Sequence, residues 1–472
     1  MKQIYQDCKD RDTKTQISSH PTPHKILSDG KIISTIKNLM IWYDFFWDYF
    51  MRNFKLPFGK TEQSLEIPEH IKPASILPNE INAHDNPDIL VTHALENPIG
   101  EFNFSAFQNA SSVAIAINDK TRPVPNSILI PPLLRKLASL GIPKSSISFY
   151  IATGTHLPMA SEEFHLVLPE EILRDYVVVS HDCDKMDNLI HLGKTKKGTN
   201  VLCNKAFFES DLKIVVGNIE PHHFMGFSGG MKSAAIGLAS RSTINQNHAI
   251  LTHPLARTGL FAENPMRQDV EEIGNLMGVH LALNTVLNGD GKIIHVLTGQ
   301  PFEVMLQGIP ITQKVCQVEV SQKYDLVIAS VGGHPKDINL YQSQKALTQA
   351  SMITRDGGVV ILVAACPEGS GSKGFEDFIK GIKDPRDVFP KFEKEGFRIG
   401  PHKAFQFARE LIRIKVILVS EMPSDFVRSL LLIPEKDVQT AFQKAYAILP
   451  PNASLAIMPH AINTTPLLKN AN

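Results

Sequence analysis

The sequence predicts an α/β protein of two domains with mainly parallel sheets, and three observations predict it. Apolar runs of strand length recur along the chain, helix-period stretches alternate with several of them, and the whole pattern starts again after Val320. Alternation of that kind builds parallel sheets covered by helices on both faces. A chain of 472 residues, 43% of them hydrophobic, is long enough for two such cores.

The elements follow in order. Residues 1–50 stand apart as an extension. They are polar and turn-prone at first, then run through IISTIKNLMIWYDFFWDYF, which holds both tryptophans of the chain. Lys37, Asp44 and Asp48 interrupt that run, so it falls short of the roughly twenty apolar residues a membrane span needs. It has neither the basic start nor the small-residue cleavage site of a secretory signal. The segment reads either as an amphipathic aromatic helix or as a misassigned start, with synthesis beginning at Met51; the second reading is preferred.

The first domain is expected over 51–320. Its strands are Val113 to Ile117, Ile147 to Ala152, Val177 to Val179 and Leu212 to Val216, and a helix is expected from Ser127 to Ser139, where apolar residues recur three and four apart. The boundary falls near Val318 to Lys323. In the second domain, 321–472, YDLVIASVGG is a strand ending in glycines, INLYQSQKALTQASMIT a helix and GGVVILVAAC another strand. The tail LAIMPHAINTTPLL carries one more strand-like run, expected to return to the first domain.

Composition narrows the function. Lys and Arg together number 48, as do Asp and Glu, so no charge excess points to nucleic acid or an anionic membrane. Five scattered cysteines, Cys8, Cys183, Cys203, Cys316 and Cys366, form neither a disulfide framework nor a zinc ribbon. A reducing cytoplasm fits.

Polar groups gather where strands end, which is where open α/β sheets bind ligands. After the first strand comes NDKTRPVP, with Asp119 and Arg122; after the second, TGTHLPM, with His156. The strand at Leu212 leads into PHHFMGFSGGMK, with His222, His223, Gly226, Gly229, Gly230 and Lys232, and His248 follows. The strand after Tyr324 leads to Tyr341, Gln342 and Lys345. Each has a plain alternative. Asp119 caps turns well, Arg122 before proline is commonly a surface residue, a lone histidine usually packs, and a helical lysine is usually solvated. His222 and His223, on extended chain, would point to opposite faces, leaving at most one facing the site. It is convergence that favours function.

Known motifs do not settle the chemistry. GFSGGMKS fails as a phosphate loop because Met231 separates glycine from lysine, and no GxGxxG opens a βα turn. The histidine spacing matches no common zinc site. Residues alone therefore indicate a small-anion site with histidines, a lysine and room for a metal.

Five stretches in register, DKTRPVP, ATGTHLPM, PHHFMGFSGGMK, Asn247–His248 and YQSQK, resemble the nickel-dependent lactate racemase family, a resemblance running from Met51 to the C-terminus. It implies a racemase or epimerase of a lactate-like 2-hydroxy carboxylic acid working by reversible hydride transfer. Its cofactor would be nickel held in a pincer nucleotide, pyridinium-3,5-bisthiocarboxylic acid mononucleotide, attached covalently at Lys232 and made by separate synthesis enzymes. His248 would ligate the nickel, while Asp119, Gly229 and Gly230 would contact the cofactor, the glycines by letting backbone come close. His156 and His222 would be the acid–base pair, and Arg122, Lys345, Gln342 and Tyr341 would hold the substrate in a cleft between the domains. Ile236 departs from the proline common in that family. Two other readings are an epimerase of a sugar-derived hydroxy acid and a non-catalytic carrier of the cofactor. Oligomeric state and substrate side chain stay open.

Overall fold

The computed structural model describes residues 51–469. The extension 1–50 lies outside the described residues. Among those described, 51–54 with 66–72 make one small unit, the outer ends of the strands Met51–Phe58 and Thr61–Pro68. The large unit contains 55–65 and everything from Pro73 onward. No helix among the described residues is long and apolar enough to cross a membrane.

The large unit holds two six-stranded sheets, the α/β architecture expected. The first runs, in spatial order, Ile293–Gly299, Leu281–Leu287, Leu212–Asn218, Val113–Asn118, Ile147–Ala152 and Val177–Ser180. All its neighbours are parallel except the first pair, which is antiparallel. Buried strands show why continuous apolar runs identify them. Val113, Ile115 and Ile117 pack on one face with Ile214 and Val216, whereas Ala114, Ala116 and Val215 pack on the other. The helix Asn126–Ser139 covers the former face through Leu129, Ile130, Leu133 and Leu137. The chain moves outward in one direction from Val113–Asn118 and returns on its other side with Leu212–Asn218. The crevice beyond the carboxyl ends of those two strands is therefore the topological switch point.

The second sheet is wholly parallel, in the order Ile433–Glu435, Lys415–Val419, Thr354–Val363, Tyr324–Ser330, Leu455–Met458, Ala74–Ser75. The tail divides: Leu455–Met458 joins the second sheet beside Tyr324–Ser330, while Thr465–Leu468 pairs with Gln317–Val320 at the end of the first expected domain. Fully buried Leu455–Met458 needs partners on both edges, and the second sheet supplies them. An early segment, Ala74–Ser75, crosses over to the second sheet as well.

Candidate functional site

Asp119 follows the Val113–Asn118 strand and is buried. One carboxylate oxygen accepts from Thr121 N at 3.1 Å and Thr121 Oγ1 at 2.7 Å; the other lies 2.6 Å from His156 Nδ1. One oxygen thus caps the turn, and the other meets a second candidate residue, His156. Burial pushes the carboxyl up, but the hydrogen bonds from His156 and Thr121 and the charges of His156 and Arg122 outweigh it and hold it below the usual value. Because a carboxylate only accepts, His156 donates through Nδ1–H, which leaves Nε2 as the nitrogen that faces away from Asp119. His156 itself rides on a turn whose Gly154 has φ +59°, and 46% of its side chain is exposed. Arg122 is exposed, and its guanidinium makes no hydrogen bond or ion pair among the described residues. Beside it, a cavity of about 360 Å³ is lined by Asn118, Asp119, Lys120, Arg122, Asn126 and Leu166, among others.

Across the switch point, Pro221–His222 pairs with Gly226–Phe227 in a tight antiparallel turn. His222 and His223 do not point to opposite faces. Their rings stack, centroids 4.6 Å apart, because extended geometry ends at His222 and His223 already belongs to the turn. Burial, then the charges of Lys232, His223, Arg122 and Lys345, keep His222 well below the usual histidine pKa. Its Nδ1 accepts the N–H of Met225 at 3.2 Å, so the ring proton sits on Nε2. Lys232 opens the short helix Lys232–Ala235 and is buried. Its amine has no hydrogen bond or ion pair among the described residues. Burial and the charges of Arg122 and Arg267 hold it well below the usual lysine value.

The glycines between have a reason other than approach to a ligand. A Cβ on Gly226 would lie 1.6 Å from Leu260 O; on Gly229, 3.0 Å from Ile219 Cγ1; on Gly230, 2.7 Å from Met305 Cγ. All three have positive φ. The protein's own packing therefore excludes side chains there. Two residues that sequence reasoning missed hold the turn. Fully buried Arg267 donates to Phe227 O and Gly229 O, each at 3.0 Å, and pairs with buried Glu271; Asn284 Oδ1 accepts Gly230 N at 2.7 Å. A buried arginine cannot be told from a solvated one in a helical pattern, so nothing in the sequence distinguished it.

His248 ends the helix Arg241–Ala249, which is fixed by Asn247: that side chain donates to Asp269 Oδ2 at 2.9 Å and Met266 O at 3.1 Å. His248 Nδ1 donates to Ile244 O at 2.9 Å, leaving the Nε2 lone pair free. Burial, then the charge of Lys232, bring its pKa down to about 3. A neutral imidazole with one bare nitrogen, its other N–H fixed by a backbone carbonyl, is the form that binds a metal. A neutral, unpartnered amine in Lys232 is the form that can be acylated. This donor set fits a covalently tethered group carrying nickel.

The second sheet contributes through the helix Leu340–Met352. Tyr341 and Lys345 lie one turn apart on it, and the charge of Arg122 acts on both. Burial raises the Tyr341 phenol to about 12 and lowers Lys345. The Gln342 backbone N–H is capped by Asn339 at 3.0 Å. Sequence reasoning also missed His402 and Lys403, both buried at the start of the helix Pro401–Leu411. His402 Nε2 lies 3.4 Å from Tyr341 Oη, and Lys403 Nζ sits 4.3 Å from the Tyr341 ring centre. Phe397 bridges the two groups, its ring 5.6 Å from that of His248 and 5.5 Å from that of His402. A histidine–lysine pair on an amphipathic helix gives no sign of which way it faces.

Comparison with known proteins gives one consistent result. Residues 58–259 match the family model for the lactate racemase N-terminal domain, and 319–465 that for the lactate racemase C-terminal domain. The chain is 31% identical over 423 residues to a lactate racemase from Thermoanaerobacterium thermosaccharolyticum, covering 88% of this chain and 99% of that one. It is 30% identical over 416 residues to a lactate racemase from Lactiplantibacillus plantarum, covering 86% and 98%. The lactate racemase apoprotein structure from T. thermosaccharolyticum superposes with a TM-score of 0.83 at 30% identity, over 89% of this chain and 100% of that one. A Thermotoga maritima crystal structure shares the fold at a TM-score of 0.59 and 18% identity, over 82% and 100%.

Proposed function

The chain belongs to the lactate racemase family, and on that premise we propose that it interconverts the enantiomers of lactate or a similarly small 2-hydroxy carboxylate. The observation that carries this reading is the opposite partnering of the two candidate catalytic histidines: Nδ1 of His156 meets an acceptor, the Asp119 carboxylate, and Nδ1 of His222 a donor, the Met225 N–H. Inverting an α-carbon requires one group to take the hydroxyl proton of one enantiomer and a second, as imidazolium, to return a proton to the product oxygen, with the roles exchanged for the reverse direction.

His156 is ready to take the hydroxyl proton as it stands, and Asp119 stabilises the imidazolium that results. His222 first holds the substrate oxygen through Nε2–H. In the reverse direction it takes the hydroxyl proton at Nε2, its ring proton having moved to Nδ1 in place of the Met225 N–H, and His156 as imidazolium returns the proton to the product oxygen. Arg122, free of protein partners, suits a carboxylate fork, with Lys345 as a second positive group and Gln342 nearby. Lys232 and His248 would hold a nickel–pincer nucleotide, which when bound would accept the α-hydrogen as hydride and return it. Asp119 orients His156 and has an acceptor site of Oδ2 left for the cofactor.

The test is expression with the cofactor-making enzymes, followed by intact mass, nickel content and chiral assay on L-lactate. The loaded protein should carry one adduct and bring lactate to a racemic mixture, in heavy water with the α-hydrogen largely retained. Lys232→Ala should lose the adduct, His248→Ala the nickel, and His156→Ala only the racemisation. An adduct persisting in Lys232→Ala sinks the anchor assignment. A loaded enzyme inert towards every small 2-hydroxy acid would make the chain a cofactor carrier.

A further inference from the structure

The phenol of Tyr341 is held from two sides by residues that the reaction scheme above does not use. Lys403 is 1% exposed; its Nζ donates to Gln344 Oε1 at 3.1 Å and lies over the Tyr341 ring. Gln344 is itself buried and donates to Thr348 Oγ1 at 2.8 Å. The buried Lys403 amine, held by Gln344, packs on that ring face and limits how the ring can turn. His402 meets the phenol at its oxygen.

The direction of that second contact follows from a third. The backbone N–H of Gly400 donates to His402 Nδ1 at 3.2 Å. With Gly400 as its partner Nδ1 bears no proton and the ring proton sits on Nε2; the Arg398 carbonyl, which also hydrogen-bonds this ring, is the competing partner that would hold a proton on Nδ1. Nε2–H then donates to Tyr341 Oη, and Tyr341 cannot spend its own proton on His402. That proton is directed to another acceptor. Among the described residues Tyr341 Oη has no other partner. Arg122 and Lys345, the two positive groups acting around this helix turn, leave an anion as the natural acceptor.

We propose that His402 and Lys403 are positioning residues that make Tyr341 a dedicated hydrogen-bond donor to the anionic or hydroxyl oxygen of the substrate. This rests on the reading of the site as one for a 2-hydroxy acid. The order is Gly400 N–H to His402 Nδ1, His402 Nε2–H to Tyr341 Oη, and Tyr341 O–H to substrate oxygen. With its donor fixed by its neighbours, Tyr341 selects ligands that present an acceptor there.

Two measurements on the full chain test this. In the first, loaded enzyme is compared as His402→Phe, His402→Gln, Tyr341→Phe and the double variant His402→Phe/Tyr341→Phe. His402→Phe and Tyr341→Phe should each lose about tenfold in kcat/KM, mainly through KM, and the double variant should lose no more than Tyr341→Phe alone. His402→Gln, which keeps an N–H donor, should recover most of the loss. Losses that multiply in the double variant overturn the proposal, because His402 would then act independently of Tyr341. The second measurement needs neither substrate nor variant activity: nitrogen NMR of 15N-histidine-labelled protein, with His402 identified by its absence in His402→Gln. It should show a bare Nδ1 and a protonated Nε2. A protonated Nδ1 reverses the chain of donors and refutes the proposal whatever acid the enzyme turns over, whereas failure of every 2-hydroxy acid as substrate would refute the reaction assignment and leave this tautomer untouched.

Discussion

Asp119 sits in a strand-end turn and could have served only as its cap. Its second oxygen makes it half of a dyad instead, and the consequence concerns one proton. With Asp119 ionised, His156 is locked as the Nδ1–H tautomer and its Nε2 is a base. In Asp119→Asn the amide can donate to Nδ1 through its N–H₂, which puts the ring proton on Nε2 and removes the base. Turnover should fall on the order of 10²- to 10⁴-fold with KM little changed. The adduct mass should stay intact, since the covalent anchor is Lys232 and not Asp119. Loss of the adduct in Asp119→Asn would make cofactor binding that residue's main role, the one its sequence motif suggested. Aspartate next to TRP was visible in the sequence; its partner lay beyond the following strand, where no spacing rule reaches.

At the scale of elements, what was legible follows burial only in part: the buried strands Leu281–Leu287 and Lys415–Val419 were missed, while the half-exposed edge strand Val177–Ser180 was found. Strands covered on both faces, such as Val113–Asn118 and Thr354–Val363, read as unbroken apolar runs and were found to within a few residues. The edge strand Ile293–Gly299 has half-buried and exposed positions, gives no such run, and was missed. The glycine turn was found as a feature but its cause was not, because the atoms that forbid a Cβ come from Leu260, Ile219 and Met305. Arg267 makes this cause testable. Its guanidinium fixes two carbonyls of the turn while neutralising Glu271, whose carboxyl burial already pushes up. Arg267→Met leaves that carboxylate buried and unpaired and should cost about 3–5 kcal/mol of stability in urea unfolding. Arg267→Met/Glu271→Leu removes both charges and should regain most of the stability. It should not regain cofactor attachment at Lys232, because Phe227 O and Gly229 O remain without their donor. Full recovery of attachment would show that the turn holds its shape unaided.

Across the whole molecule, the site gathers far more positive than negative capacity. Arg122, Lys232, Lys345 and Lys403 come from four separate stretches of both halves of the chain, and Glu220 is the carboxylate whose charge opposes them at Lys232 and Lys345. The overall balance of charge in the sequence hides this, since balance says nothing of where charges meet. The cost of such a gathering is carried by the histidines. His222, His223 and His402 are all held well below the ordinary value, first by burial and then by neighbouring lysines. The sign of the effect follows from linkage: each depressed histidine stays neutral in the folded chain, while the unfolded chain protonates it below pH about 6.5. The unfolded state then binds more protons, so stability present above 6.5 is lost as pH falls. One unit below that value each such histidine costs about 1.4 kcal/mol. The apoprotein should therefore lose thermal stability steeply between pH 7 and 5, where most surface carboxylates are still ionised. His223→Phe tests the source, since it removes one of these histidines but keeps a ring to stack on His222. Its melting temperature should fall less than the parent's over that interval. An equal fall in both proteins would assign the acid sensitivity to carboxylates elsewhere, and the stacked pair would then be no part of the pH response.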